Sequence, residues 1–90
     1  AEHAWHQYVL RPKDRAAFIA HMDANDVSTG IHYPLPCHRQ PLYAQHPQHA
    51  QGSLPITEQI CSEVVSIPVH PHLTDAEVEH VISVVCSYQP

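Results

Sequence analysis

Imidazole and phenol side chains are concentrated in one stretch of this chain, residues 29–43, with the sequence Thr-Gly-Ile-His-Tyr-Pro-Leu-Pro-Cys-His-Arg-Gln-Pro-Leu-Tyr. His32, Tyr33 and His38 carry groups that can donate hydrogen bonds to a ligand without burying a full charge. The stretch is therefore a candidate place for a ligand, and residue types alone do not say which ligand.

The stretch begins where a β-branched run, Val27–Ile31, ends, and it is broken by Pro34 and Pro36. Proline fixes the backbone, removes an amide donor and favours extended structure in the residue before it. His32 and Tyr33 should therefore lie where a strand leaves its sheet, a common place for ligands in α/β folds. On residue types alone, a purely structural histidine and a packed tyrosine are the commoner outcome at such a place.

Three strands are predicted from aromatic and β-branched runs. They cover Trp5–Leu10, Val27–His32 and Val65–Val69. The third is expected at a sheet edge, because Pro68 has no amide hydrogen for the ladder. With the helices between them, these strands give an α+β fold, a small two-layer domain with about three strands and helices on one face.

The predicted helices follow from apolar periodicity and from the residues at their ends. Their expected bounds are Arg15–Asn25, a short turn at Gln40–Gln45, Pro55–Val64, and a last helix that begins after Thr74. Asp14 and Thr74 are good N-cap residues, and Glu77 completes a capping box with Thr74. The expected apolar face of the last helix consists of Val78, Val81, Ile82 and Val85.

Composition limits the classes of function. Ninety residues, 43% apolar and 14% charged, make a single domain. A net charge of −5 with neutral histidines provides no basic field for nucleic acid. The chain has three cysteines, Cys37, Cys61 and Cys86. An odd number of widely spaced cysteines indicates reduced thiols and a cytoplasmic protein. No apolar run approaches the about 20 residues that a membrane helix needs, so no membrane contact is expected.

The motifs Thr-Gly-Ile-His-Tyr-Pro and Pro-x-His-x-Gln-Pro-x-Tyr resemble those of the DegT/DnrJ/StrS family. These are pyridoxal-phosphate (PLP) aminotransferases that act on keto sugars carried on nucleotide diphosphates. The resemblance covers nearly all 90 residues. Further matching segments are Trp5–Val9, Asp14–Arg15, Leu54–Glu58 and Ser66–Asp75.

The resemblance implies the C-terminal small domain of a fold-type I aminotransferase, with a large PLP-binding domain upstream. A chain that starts Ala-Glu without Met fits a piece of such an enzyme. The parent is expected to be a homodimer that transfers an amino group, with glutamate as donor, to a keto sugar of a nucleotide-diphosphate-sugar. In the family, the pair matching His32 and Tyr33 faces this substrate, and a histidine stands at His38. Glu58 is expected to make a structural hydrogen bond, and Arg39 to be solvated.

The cofactor is not expected to bind these residues themselves. PLP chemistry needs a lysine for the Schiff base and an acidic partner for the pyridine nitrogen. Lys13, the one lysine, lies beside Pro12 in a strand-to-helix turn and does not align with the family's cofactor lysine. The chain alone is therefore expected to be inactive and to contain no catalytic residue.

A second hypothesis is a stand-alone α+β binding module whose His-rich loop holds a metal or a small anion. The pairs His46/His49 and His70/His72 are its close histidine pairs. Zinc sites need four ligands at recognisable spacings, which these pairs do not provide, so no metal site is predicted. His6, within the first predicted strand, is expected to be structural.

Overall fold

The structure is a computed structural model that describes residues 2–44 and 53–89, which form four helices and a two-stranded sheet. In chain order the elements are β1 (Tyr8–Leu10), α1 (Arg15–Ala24), α2 (Pro41–Ala44), α3 (Pro55–Glu63), β2 (Val65–Ile67) and α4 (Asp75–Ser87). A 3-10 turn, Cys37–Arg39, precedes α2. None of the helices in these two ranges is long and apolar enough to cross a bilayer. The α+β class is confirmed.

Helices α1 and α4 begin at side-chain caps, as their sequences predict. Asp14 Oδ1 accepts a hydrogen bond from Ala17 N at 3.1 Å, and Thr74 Oγ1 accepts one from Glu77 N at 3.1 Å. The Thr74 hydroxyl also donates to Glu77 Oε1 at 3.0 Å. Just after α1, Asp26 has a φ of 59°, the left-handed conformation that commonly ends a helix.

The sheet is centred on Ser66. Strands β1 and β2 pair antiparallel, with Val9 opposite Ser66. On the other side of β2, Gly30 N donates to Ser66 O at 3.0 Å, and Ser66 N donates to Gly30 O at 2.7 Å. Strand β2 is thus an edge of the two-stranded sheet, as expected, except at Ser66, where the bridge to Gly30 adds a second partner. The strand has partners on both sides of Ser66 and ends one residue before Pro68, so the missing amide of that proline does not interrupt it.

The third predicted strand, Val27–His32, is reduced to a single bridge at Gly30. Hydrogen-bonded pairs recur at every second residue of an antiparallel ladder, so the next partners on the β2 side would be Val64 and Pro68. Pro68 has no amide hydrogen. The amide of Val64 already donates to Ile60 O at the end of α3, at 3.0 Å. Neither neighbour can donate the next ladder bond, which explains why the strand is missing.

The core lies between α1, α4 and β2. Its buried apolar side chains are Phe18, Met22, Val27, Val65 and Val84. Tyr88 packs against this core with its ring edge-on to Phe18, the centroids 5.2 Å apart. His21 Nε2 lies 2.9 Å from Val84 O and 3.1 Å from Ser87 Oγ. A polar contact therefore joins α1 to α4 beside the apolar one.

The apolar face predicted for α4 is divided between two environments. Val81 and Val85 pack on the core, next to the buried Val84. Val78 and Ile82 are exposed, because α1 packs against the Val84 side of the helix. These two residues line an open apolar groove of about 460 Å³ between α4 and the sheet, which we call the α4 groove. Its other walls include Tyr8, Leu10, Ile67, Leu73 and Cys86.

Arg15 ties the start of α1 to the end of α3. Its Nη1 donates to Cys61 O at 2.9 Å and to Val64 O at 3.2 Å, at a helix end where carbonyls lack intrahelical partners. Hydrogen bonds from charged donors contribute about 1.5–3 kcal/mol, so Arg15→Met should lower the free energy of unfolding by about 2 kcal/mol. Chemical denaturation measures this loss. The control Lys13→Met removes an exposed cation, and an equal loss in both variants would contradict the role of Arg15.

Candidate functional site

His32 follows the bridge at Gly30 and folds its ring back over that residue. A Cβ added to Gly30 would lie 3.1 Å from His32 Nε2, tighter than nearly all real Cβ contacts. Glycine therefore leaves room for this position of the imidazole. The ring is exposed, and its centroid lies 6.5 Å from that of Tyr33. The structure thus brings the pair together at the point where the chain leaves the sheet.

Tyr33 is held in a strained backbone conformation. Its φ is 61°, in the left-handed region that bulky residues rarely adopt, and Pro34 disfavours helical conformations before it still further. The side chain is 74% exposed, so packing does not compensate the strain locally. Strain of about 1–3 kcal/mol at an exposed aromatic residue is characteristic of binding sites, which favours a ligand-contacting role for Tyr33.

His38, Arg39 and Glu58 form a cluster that we call the Glu58 clasp. His38 Nε2 lies 2.9 Å from Glu58 Oε1, and Arg39 Nε donates to the same oxygen at 2.8 Å. The His38 side chain is only 11% exposed. The expected hydrogen bond of Glu58 is confirmed. Arg39, expected to be solvated, pairs with this carboxylate while it remains 44% exposed.

The clasp holds the pKa of Glu58 below its usual value of 4.5, and the hydrogen bond from His38 is the largest cause, followed by that from Arg39. The carboxylate is therefore charged at neutral pH. Within the described residues, His38 makes its hydrogen bond through Nε2, and Nδ1 makes none. The clasp fixes the 3-10 turn to α3, which gives His38 a structural contact in addition to its predicted substrate-binding role.

Acid should weaken the clasp. Because the folded-state pKa of Glu58 is lowered, its contribution to stability is fully present above pH 4.5 and is lost as the pH falls through the folded-state value. Glu58→Gln should lower the free energy of unfolding at neutral pH and flatten its decline below about pH 4.5. Urea denaturation across this pH range measures both effects. The control Glu79→Gln changes an exposed carboxylate of α4, and identical profiles for the two variants would contradict the assignment.

A cleft of about 320 Å³, which we call the His32 cleft, opens beside His32, and polar and apolar residues both line it, His6 and His70 among them. His6 stands before β1 and His70 after β2, so the antiparallel pairing brings them to the same end of the sheet. His6 was expected to be structural, and His70 was considered only as half of a metal pair. The signal that places them together is the register of β1 on β2, which residue types alone do not contain.

The described residues offer neither a metal cluster nor a cofactor lysine. Within residues 2–44 and 53–89, no three His, Cys, Asp or Glu side chains could hold a metal ion together. His46 and His49 lie outside the described residues. Lys13 is exposed in the turn before α1, and it lines neither the α4 groove nor the His32 cleft. These residues therefore do not fit the attachment of PLP.

The sequence profile of the DegT/DnrJ/EryC1/StrS aminotransferase family matches residues 1–86. The chain belongs to this family. A solved DegT/DnrJ/EryC1/StrS aminotransferase from Brucella abortus superposes with a TM-score of 0.78 at 31% identity, over 92% of this chain and 22% of that one. The family and the fold expected from the sequence motifs are both confirmed.

Two curated relatives are named as transaminases. The dTDP-3-amino-3,6-dideoxy-alpha-D-galactopyranose transaminase of Aneurinibacillus thermoaerophilus is 44% identical over 86 residues, which are 96% of this chain and 23% of that protein. The dTDP-3-amino-3,4,6-trideoxy-alpha-D-glucose transaminase of Streptomyces venezuelae is 37% identical over 81 residues, which are 90% of this chain and 21% of that protein. The chain thus spans less than a quarter of each relative's length.

Proposed function

We propose that this chain is the C-terminal small domain of a cytoplasmic, PLP-dependent aminotransferase that aminates a keto sugar of a nucleotide-diphosphate-sugar. The observation that carries the proposal is the family match over residues 1–86, together with relatives named as dTDP-sugar transaminases. The amino donor is glutamate, and the parent protein is a homodimer.

The large and small domains of the parent protein have different roles. The upstream large domain holds PLP, which supplies the electron sink for amino transfer when it is bound. The 90 residues alone are inactive, because their one lysine, Lys13, is exposed and lies outside the cavities described above. Their task is to bind and orient the substrate.

His32 and Tyr33 are the residues proposed to contact the nucleotide-sugar. Both are exposed, and both carry donors suited to phosphate and hydroxyl oxygens. The strained backbone at Tyr33 supports this role. His38 supports the site from the Glu58 clasp and can reach a ligand through Nδ1.

The α4 groove supports the presence of a further domain. Tyr8, Val78 and Ile82 are 43%, 38% and 56% exposed along one continuous apolar surface. Apolar surface of this kind marks contact with another surface. Because the chain spans 23% of the relative from Aneurinibacillus thermoaerophilus, the occupant that we propose is the large domain of the same chain.

Replacement of the site residues tests the substrate contacts in the parent enzyme. His32→Ala and Tyr33→Phe should each lower kcat/KM for the nucleotide-sugar about tenfold, because each removes a hydrogen bond to the substrate. The absorbance of bound PLP should persist in both variants. Steady-state kinetics measures kcat/KM for each variant. The control is His72→Ala, which removes another exposed histidine. Unchanged kinetics in both site variants would rule out the assignment.

A charge in the α4 groove tests domain packing. Ile82→Asp in the parent should lower the free energy of unfolding by about 3 kcal/mol or more, because it would bury an unpaired carboxylate. Ile56→Asp makes the same change at a position that is 74% exposed in the first turn of α3, and it should have little effect. Thermal and chemical denaturation measure the difference. Equal stability of the two variants would show that the groove is not covered.

A further inference from the structure

We propose that Glu58 is a positioning residue, which holds His38 so that Nδ1 of its ring accepts a hydrogen bond from a hydroxyl group of the nucleotide-sugar. The inference rests on the proposed function and deepens it, because it assigns the chemical group that His38 recognises. His38 Nε2 lies 2.9 Å from Oε1 of Glu58, which stands in the first turn of α3. Arg39 directs two N–H groups, at Nε and Nη2, to the same oxygen, each at 2.8 Å.

The charge of Glu58 determines which nitrogen of His38 carries the hydrogen. The hydrogen bonds from His38 and Arg39 hold the pKa of Glu58 below 4.5, so at neutral pH its carboxylate can only accept hydrogen bonds. Nε2 is therefore the N–H group that donates to it. A neutral imidazole has a single N–H group, and its other nitrogen carries a lone pair. In neutral His38, Nδ1 is thus a hydrogen-bond acceptor.

Nδ1 is open to a ligand, although the His38 side chain is only 11% exposed. Within the described residues, Nδ1 makes no hydrogen bond. The described part of the chain contains no buried side-chain nitrogen or oxygen atom that lacks a hydrogen-bond partner. The small exposed part of the ring therefore includes Nδ1, and a ligand group can replace the solvent there.

An acceptor at this position selects a hydroxyl group. The phosphate oxygens of a nucleotide-sugar are ionised at neutral pH, so they have no hydrogen to donate to the lone pair of Nδ1. Hydroxyl groups can donate to it, and a nucleotide-sugar carries them on its sugar and on its nucleoside. The ligand chemistry assigned to His38 thus differs from that of a phosphate-binding histidine.

Hydrogen bonds hold His38 between a helix and the segment that follows Tyr33. Glu58 belongs to α3, and side chains supported by a helix are placed more precisely than those on loops. Gln40, at the end of the 3-10 turn, donates from Nε2 to Leu35 O at 2.9 Å. The turn that carries His38 is therefore tied on one side to α3 and on the other to the segment after Tyr33. Loss of Glu58 would remove the bond that fixes both the orientation and the tautomer of the ring.

Two replacements of His38 in the full-length parent enzyme separate the ligand contact from the clasp. His38→Gln has an amide nitrogen as many bonds from Cα as Nε2, so it keeps the donor to Glu58 and loses the acceptor at Nδ1. KM for the nucleotide-sugar should rise about tenfold, with kcat and the melting temperature little changed. His38→Asn keeps an acceptor as many bonds from Cα as Nδ1 and loses the donor. Its melting temperature should fall, and its KM should rise less than that of His38→Gln.

A double-mutant cycle tests whether Glu58 acts through His38. Glu58→Ala should raise KM about tenfold, but it should add nothing to the KM of His38→Gln, because the acceptor that Glu58 positions is already absent. The matched control is Glu63→Ala, which removes another carboxylate of α3 that pairs with an arginine, Arg11, at 2.6 Å. This control should leave KM unchanged, and the absorbance of bound PLP should persist in every variant. Additive effects in the cycle, or an equal rise of KM in the control, would overturn the inference.

Inhibition by the nucleoside diphosphate, which lacks the sugar, identifies the source of the hydroxyl group. Inhibition that is about tenfold weaker in His38→Gln assigns the hydroxyl to the nucleoside, and unchanged inhibition with a raised KM assigns it to the sugar. Transamination with an unchanged KM in His38→Gln would overturn the inference and leave the proposed function standing. A parent that binds a nucleotide-sugar about tenfold more weakly in His38→Gln, but does not aminate it, would support the inference and overturn the proposed function.

Discussion

The two backbone hydrogen bonds between Gly30 and Ser66 set the positions of the groups around the site. They place the segment that leads to His32 beside β2, while β1 occupies the other side of the same strand. Ser66 is 7% exposed, and a buried backbone of this kind needs its hydrogen bonds made. The ladder cannot be extended at Val64 or Pro68, so this one pair holds the segment against the sheet. The His32 cleft lies where the segment before β1, the segment around Gly30 and the segment after β2 come together.

Features governed by local chemistry could be predicted from the sequence. The caps at Asp14 and Thr74 and the helix bounds depend on neighbours a few residues away. The third strand is short because of two distant residues. The amide of Val64 already donates to the end of α3, and Pro68 has no amide hydrogen. The division of the α4 face likewise depended on where α1 packs. Such information lies in the tertiary arrangement, and residue patterns along the chain do not contain it.

The candidate site shows the same limit. The motif marked His32, Tyr33 and His38 as similar polar residues, yet the structure gives them different environments. Tyr33 is exposed and strained, whereas the His38 side chain is 11% exposed and bonded to Glu58. His6 joined the cleft only through the strand register. The family motif therefore marks the region of the candidate site, and the three-dimensional pairing decides which side chains share a surface there.

The Glu58 clasp has a consequence for how this region can vary. It joins His38 to a residue 20 positions later, and so closes a loop whose two ends are fixed by side chains. The entropy of closing a flexible loop grows only with the logarithm of its length, so doubling the loop costs about 0.6 kcal/mol. The hydrogen bonds of one carboxylate to a histidine and an arginine can offset that cost. A change in the number of residues between these two ends would therefore cost little closure entropy while the clasp holds the 3-10 turn to α3.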